Sequence, residues 1–191
     1  MSPRTKKQFE EIRERRIESI KKVAFGLFAN QGFKGTSIAD IAKKAGISKG
    51  LIYNYFENKN DLVKSIIKDG FNDLLDSLQF DFTKPLTRED IIYLIDKNFK
   101  LIKEDTDFWR LYTAVITQPT VAELAKEDLY TILKPFIQSI SAYYKSQGVS
   151  NPLAYGYLFA AILDGVGLDY MFDQDNYPLE DIKKLIIEKI I

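Results

Sequence analysis

The stretch from Thr36 to Lys59 constrains the fold more than any other part of the chain. It reads TSIADIAKKAGISKGLIYNYFENK and contains two short helical patterns separated by one tight turn. In the first pattern, Ile38, Ile41 and Ala42 recur at the three-and-four spacing that places apolar side chains on one helix face. Gly46 ends this pattern, because glycine adopts the left-handed conformation that closes a helix.

The second pattern begins at Ser48, which is a suitable N-cap, and places Ile52 and Phe56 four residues apart on an inner face. Two helices joined by a short turn that contains glycine are typical of a helix-turn-helix. At 100° per residue, Gly50 and Asn54 then face outward, where a major groove would meet them. The alternative is an ordinary helical hairpin whose polar face contacts only solvent.

This pattern resembles the N-terminal signature of the TetR family of bacterial transcriptional regulators. The resemblance covers residues 10–65 and includes the preceding stretch AFGLFANQGFKGTS. The positions that carry it are Thr36, Ile38, Ala39, Ile41, Ala42, Ala45, Gly46, Ile47, Ser48, Gly50, Tyr53, Phe56, Lys59 and Leu62. It implies a homodimer, an all-helical effector domain, and repression that a small molecule relieves.

The outward face and the resemblance together predict which side chains contact a double-stranded DNA operator. Gly50 lets the backbone approach DNA, and the neighbouring side chains carry hydrogen-bond donors for phosphates or base edges. Tyr55 stands where many family members have histidine, but a phenol can still donate to a phosphate. The predicted DNA-contacting residues are Thr36, Ser48, Lys49, Gly50, Tyr53, Asn54, Tyr55 and Lys59.

The chain contains no cysteine and no histidine among its 191 residues. The absence of cysteine removes disulfides and thiolate metal sites and is compatible with a reducing cytoplasm. The absence of histidine removes the commonest general base and metal ligand. We therefore expect no metal, no cofactor and no enzymatic activity.

Charge is distributed unevenly along the chain, although the formal net charge is zero. Residues 1–60 hold 13 Lys and Arg against 6 Asp and Glu, whereas residues 61–191 hold 14 against 21. Because cationic surface favours binding to phosphate, we predict a DNA-binding domain over residues 1–59 and an effector-binding and dimerisation domain over residues 60–191. Residues 1–8 are predicted to be a disordered basic tail; alternatively, Arg4, Lys6 and Lys7 form an arm along the DNA.

Helical periodicity continues to the end of the chain and predicts an all-α protein. A helix from Phe9 to Gly32 would complete a three-helix DNA-binding domain, and a helical bundle would follow it. Further helices are predicted from Asp61, from Thr87 with a capping-box Asp90, over Thr106–Thr117, over Val121–Lys126, over Leu129–Gln147, from Asn151, and over Leu179–Ile191. Pro135 either kinks its helix or begins a new one.

The last two helices are apolar on more than one face. For the helix after Asn151, a membrane span is the rival interpretation, but Asp164, Asp169 and three internal glycines count against it. We therefore expect no membrane contact and a dimer in which two such helices from each chain form a four-helix interface. The predicted interface residues are Gly156, Ala160, Ala161, Gly167, Ile182, Ile186 and Ile190.

Aromatic residues are frequent between residues 99 and 172 and indicate an effector site between helices. Plain core packing is the alternative for each of them. Asp164 lies among apolar neighbours, so it is either a hydrogen-bonded structural group or a ligand contact. The predicted effector-binding residues are Phe99, Trp109, Tyr112, Phe136, Ile140, Tyr143, Asp164 and Leu168.

The sequence leaves three classes of function. A ligand-responsive, dimeric DNA-binding regulator accounts for most of these features, and the resemblance implies a repressor. A helical protein-interaction module that retains the helix-turn-helix only as architecture is the second. An enzyme is the third and is disfavoured, because no catalytic triad, metal-spaced or phosphate-loop motif is found.

Overall fold

The computed structural model describes residues 6–191 and contains nine α-helices and no strand over that range. The all-α prediction is therefore confirmed. In chain order the helices are α1 (Lys6–Gln31), α2 (Ile38–Ala45), α3 (Lys49–Tyr53), α4 (Lys59–Leu78), α5 (Arg88–Glu104), α6 (Thr106–Ile116), α7 (Pro119–Ser146), α8 (Pro152–Phe172) and α9 (Leu179–Lys189).

Two helices differ from the sequence-based expectation. Helix α1 begins at Lys6, so residues 6–8 are helical rather than part of a disordered tail. Residues 1–5, which include most of the predicted tail and Arg4 of the predicted arm, lie outside the described residues. The two helices predicted between residues 121 and 147 form the single helix α7, which continues through Pro135. Pro135 therefore does not begin a new helix, although its ring removes one backbone donor.

Contacts between Cα atoms group the chain into two compact units. Unit 1 comprises the residues up to Gly70 together with Leu111–Glu127, and unit 2 comprises Phe71–Arg110 together with Asp128–Ile191. Helices α4, α6 and α7 thus contribute residues to both units. The functional boundary after Lys59 stays a prediction.

In unit 1, the helix-turn-helix is held by local caps. Ser37 and Asp40 form a reciprocal capping box at the start of α2, which satisfies two backbone donors. Gly46 closes α2 in the left-handed conformation with φ +66°. The Ile47 backbone N–H then donates to the Ala42 carbonyl over 3.0 Å. These contacts fix the turn that the sequence predicted.

Residues 111–127 pack against the rest of unit 1 through polar side chains. The Tyr112 hydroxyl donates to the Ile67 carbonyl over 2.7 Å. Gly70 is required beneath this ring, because a Cβ there would overlap it. The Gln118 side chain accepts from the Phe33 backbone N–H over 2.6 Å and donates to the Phe28 carbonyl over 3.0 Å. Helices α6 and α7 therefore hold the region where α1 ends.

The core of unit 2 is built from α5, α7, α8 and α9. Its fully buried side chains include Ile91, Ile95, Ile140 and Phe159. Asn151 caps α8 and Pro152 occupies its first turn, as the sequence predicted. None of the helices within residues 6–191 is both long and apolar enough to cross a membrane.

Candidate functional site

Helix α3 forms the outer element of the helix-turn-helix and is only five residues long. The Ser48 hydroxyl accepts from the Leu51 backbone N–H over 3.2 Å and so caps α3. Ile52 is fully buried and Phe56 is almost so, which confirms the inner face predicted from the sequence. Phe56 follows the end of the helix, and its N–H donates to the Ile52 carbonyl over 3.0 Å.

Most of the predicted DNA-contacting residues lie on the exposed surface of α3 and the turn after it. Ser48, Lys49, Gly50, Tyr53 and Asn54 are exposed. A Cβ at Gly50 would approach only the Ser48 hydroxyl, at 4.0 Å, so the backbone there is open to a close contact. We refer to these five residues as the α3 surface.

Tyr55 lies beside this surface and is half-buried. The Arg13 guanidinium stacks over its ring at 5.6 Å from the centroid, a cation–π distance. This contact ties the phenol to α1 and places a second cation next to the α3 surface.

Thr36 is a structural residue rather than a DNA contact. Its side chain is buried, and its hydroxyl donates to the Gly32 carbonyl over 2.9 Å, with Leu27 O at 3.3 Å. A hydroxyl enclosed in this way cannot reach a phosphate. The resemblance placed Thr36 among the DNA contacts but did not show which way its side chain points.

Lys59 also has a different role from the predicted phosphate contact. Its ammonium donates to the Phe33 and Thr36 carbonyls, each over 2.7 Å, and lies 4.3 Å from the centre of the Phe33 ring. Partial burial lowers the pKa of Lys59 below its ordinary value. Two of its three donors thus hold the loop between α1 and α2 in place.

Exposed cations near the α3 surface were missed by the sequence reasoning. Lys43 and Lys44 lie in the last turn of α2, and Lys34 lies in the loop before it; all three are exposed. Their ammonium groups are accessible, which is the condition for a phosphate contact. The basic surplus of residues 1–60 was the signal for them.

Unit 2 contains a cavity of about 120 Å³ between α4, α5, α7 and α8. Its walls are mainly apolar, and the polar side chains among them are Asn98 and Asp164. The lining residues are Phe71, Leu74, Leu75, Leu78, Leu94, Asn98, Leu133, Phe136, Ile137, Ala160, Leu163 and Asp164.

Asn98 and Asp164 are unusual for such a wall. The Asn98 Oδ1 atom is buried and has no hydrogen-bond donor among the described residues. Asp164 is open to solvent in the chain, yet desolvation by its apolar neighbours raises the pKa of its carboxyl. No donor within residues 6–191 opposes that shift. Both roles foreseen for Asp164 stay predictions.

Two of the eight predicted effector residues, Phe136 and Asp164, line this cavity. The others lie elsewhere because an apolar helix face does not specify which neighbour covers it. Phe99, Ile140 and Tyr143 are buried in the core of unit 2, and Leu168 is 40% exposed. Trp109 packs edge-on against Phe108, with its indole N–H donating to the Leu101 carbonyl over 3.3 Å. Tyr112 belongs to unit 1.

The residues that the sequence reasoning missed come mostly from α4. Phe71, Leu74, Leu75 and Leu78 have the spacing of one helix face, but this spacing does not show that the face lines a cavity. Asn98 interrupts the apolar face of α5 one turn after Leu94. A polar residue within an apolar stripe is the signal that could have identified it.

The predicted dimer residues are largely used within the chain. Gly156 allows α8 to approach α7, because a Cβ there would meet Ser141, and Gly167 allows the approach of Ile102. Ile186 is buried in the core of unit 2, while Ile182 and Ile190 pack against it. Ala160 lines the cavity, and Ala161 is exposed.

A different face of α8 is exposed and, apart from Asp164, apolar. Its residues recur at three- and four-residue spacing, and the small ones, Ala161 and Gly165, lie in the middle. Leu185, 54% exposed, is an exposed apolar residue of α9. We name the exposed apolar face of α8 the α8 stripe. Its residues are Leu153, Tyr157, Leu158, Ala161, Gly165, Leu168 and Phe172.

A capped helix-turn-helix with an exposed outer helix, in an all-helical chain whose second unit holds an apolar cavity, is an arrangement typical of DNA-binding regulators. The comparisons with known proteins agree. The family described as "Bacterial regulatory proteins, tetR family" matches residues 20–66.

Relatives of known name extend this match along the chain. A fatty acid metabolism regulator protein of Bacillus subtilis is 25% identical over 180 residues, covering 88% of this chain and 90% of the relative. The transcriptional regulator AcrR of Shigella flexneri is 39% identical over 66 residues, or 35% of this chain and 29% of its own. The crystal structure of FadR from Bacillus subtilis with stearoyl-CoA superposes with a TM-score of 0.72 at 20% identity, covering 91% of this chain and 97% of FadR.

Residues 20–66 thus match the TetR family of bacterial regulatory proteins, and the relatives that extend along the rest of the chain are named as regulators. Its relatives are regulators and not enzymes.

Proposed function

We propose that this protein is a homodimeric, cytoplasmic repressor that binds a palindromic operator and is released from it by a small, largely apolar effector. The observation that carries the proposal is the α3 surface, because its side chains are exposed while Ile52 holds the helix from within. Exposed donors on a short, capped helix can reach base edges, and the neighbouring lysines can reach phosphates.

DNA binding is tested by selecting bound fragments from genomic DNA and measuring their affinity as a function of salt. Lys49→Ala should weaken binding and reduce the slope of log affinity against log salt by about 0.9, the share of one phosphate contact. Lys145→Ala, at an exposed lysine of unit 2, is the matched control and should change neither. Failure to recover any duplex would favour the protein-interaction module instead.

Dimerisation is supported by the α8 stripe. Exposed apolar faces of this kind mark interaction sites, and small residues at the centre allow two helices to approach closely. Since each helix-turn-helix reads one half-site, the two recognition helices of a dimer should be about 34–36 Å apart or a multiple of it.

Ala161→Glu places a charge in the middle of the α8 stripe and should give monomers with much weaker operator binding. Ala122→Glu makes the same change at an exposed position of α7 and should leave the dimer intact. Sedimentation velocity distinguishes the two states. A wild-type monomer at micromolar concentration would contradict a dimeric repressor.

Release by an effector is supported by the cavity and by α4. Leu62 and Ile66 of α4 are buried in unit 1, and Phe71 and Leu75 of the same helix line the cavity. A ligand that favours another position of α4 would weaken operator binding, and DNA would weaken the ligand by the same factor. A coupling of about 1–3 kcal/mol corresponds to about a 5- to 150-fold change in operator affinity.

The relatives make an acyl chain one candidate for the effector, since FadR was crystallised with stearoyl-CoA. An engineered protein cavity of about 150 Å³ binds benzene, so a cavity of this kind accepts a short apolar body as it stands. A long acyl chain would require the lining helices to separate. Titrating operator complexes with ligands of graded length, while following DNA release by fluorescence anisotropy, measures which size is accepted.

A further inference from the structure

The two polar side chains of the cavity wall each carry an oxygen acceptor, and the amide of Asn98 also carries N–H donors. Asn98 presents a buried amide oxygen with no donor among the described residues. Asp164 presents a carboxylate, which when ionised only accepts. A ligand that only accepts hydrogen bonds would leave both oxygens unpaired, whereas a ligand that donates would satisfy them.

The charge of the cavity wall also favours a ligand that donates hydrogen bonds. Asp164 is the titratable residue among those that line the cavity, and the other lining side chains are apolar apart from Asn98. A carboxylate ligand would place a second negative charge in this apolar surrounding, where like charges repel strongly. A cation would instead stabilise the ionised form of Asp164.

We propose that the cavity selects amphiphiles with a short apolar body and a head group that donates hydrogen bonds, a primary amine above an alcohol, and that it rejects carboxylates. This selectivity rests on the proposed function, because it takes the cavity as the effector site. Asn98 accepts a hydrogen bond from the head group. Asp164 neutralises the charge of an amine or accepts a hydrogen bond from an alcohol, and the leucine and phenylalanine side chains surround the apolar body. It departs from what the fatty-acid relatives would suggest, since a fatty acid carries the disfavoured head group.

The experiment uses the full-length protein and three compounds with the same six-carbon body: hexylamine, 1-hexanol and hexanoate. Isothermal titration at neutral pH and fixed ionic strength should give affinities in the order amine, alcohol, carboxylate, with the amine at least about tenfold tighter than the carboxylate. Asp164→Asn should reduce the advantage of the amine over the alcohol. Asp169→Asn, at an exposed acid of the same helix that does not line the cavity, should preserve the order.

Hexanoate binding as tightly as hexylamine would overturn the proposed selectivity while leaving the cavity as an effector site. An unchanged order in Asp164→Asn would overturn the role of that residue in it. If no six-carbon compound binds although the protein still binds its operator, the cavity is not a ligand site, and the selectivity is wrong while the DNA-binding function stands. Operator affinity without ligand, measured in the same preparations, separates these outcomes.

Discussion

The two units differ in whether their polar side chains have hydrogen-bond partners. In unit 1, Thr36, Tyr112 and Gln118 are each paired with backbone groups, so that the end of α1, the loop after it and α4 are held in one arrangement. Around the cavity of unit 2, the buried Asn98 Oδ1 has no donor within residues 6–191, and the carboxyl of Asp164, although exposed, is partly desolvated. An unpaired buried polar group costs about 1–3 kcal/mol, so the first arrangement favours stability and the second favours binding.

The largest expected effect concerns the hydrogen-bonded polar side chains of unit 1. Gln118→Leu removes the acceptor of the Phe33 N–H and the donor to the Phe28 carbonyl, and it leaves these groups without their partner. The free energy of unfolding should fall by about 1–3 kcal/mol, and operator affinity should fall with it because the α1 end is released. Chemical denaturation followed by circular dichroism measures the loss.

The matched control is Gln147→Leu, the same change at an exposed glutamine of unit 2 in the turn directly after α7. It should alter stability by no more than about 0.5 kcal/mol. Equal losses in both variants would show that the Gln118 contacts do not stabilise unit 1.

An effect of opposite sign is expected at the cavity. Asn98→Leu is close to isosteric, removes the unpaired amide oxygen and adds apolar volume to an apolar wall. The free energy of unfolding should rise by about 1 kcal/mol, because the desolvation cost of the oxygen disappears. Asn60→Leu, at an exposed asparagine of α4, should change it little. A destabilised Asn98→Leu protein would mean that the amide already has a partner in solution.

The smallest effect concerns pH. The pKa of Asp164 is raised above its ordinary 3.8 by desolvation, so the folded protein binds the proton more tightly than the unfolded chain does. The stability that this group contributes is therefore complete below pH 3.8 and is lost as pH rises through the folded-state pKa. Asp164→Asn lacks this dependence. The difference in unfolding free energy between the two proteins should change across that window in favour of the variant, and a flat difference would refute the shift.

Local signals in the sequence were reliable guides to the helices. Thr87 with Asp90, and Asn151 with Pro152, were identified as helix starts, and the structure contains the capping box and the first-turn proline that they encode. Gly148 ends α7 at φ +78°. These features are local because a cap needs only residues three or four positions apart, and such residues are visible in a sequence. By contrast, no local signal of this kind showed that the two helices predicted between residues 121 and 147 would form the single helix α7.

The sequence by itself determined the helical class, the helix-turn-helix, the resemblance of residues 10–65 to the TetR family, and the exposed residues Lys49, Tyr53 and Asn54 of the α3 surface. Only the tertiary structure decided that Lys59 and Thr36 bind backbone carbonyls, and that α4 and Asn98 line the cavity where Phe99 and Trp109 were expected. Periodicity shows which side of a helix is apolar, but each apolar side can pack against several neighbours. The choice among those neighbours, and the space left between them, depends on how all the helices fill one core at once.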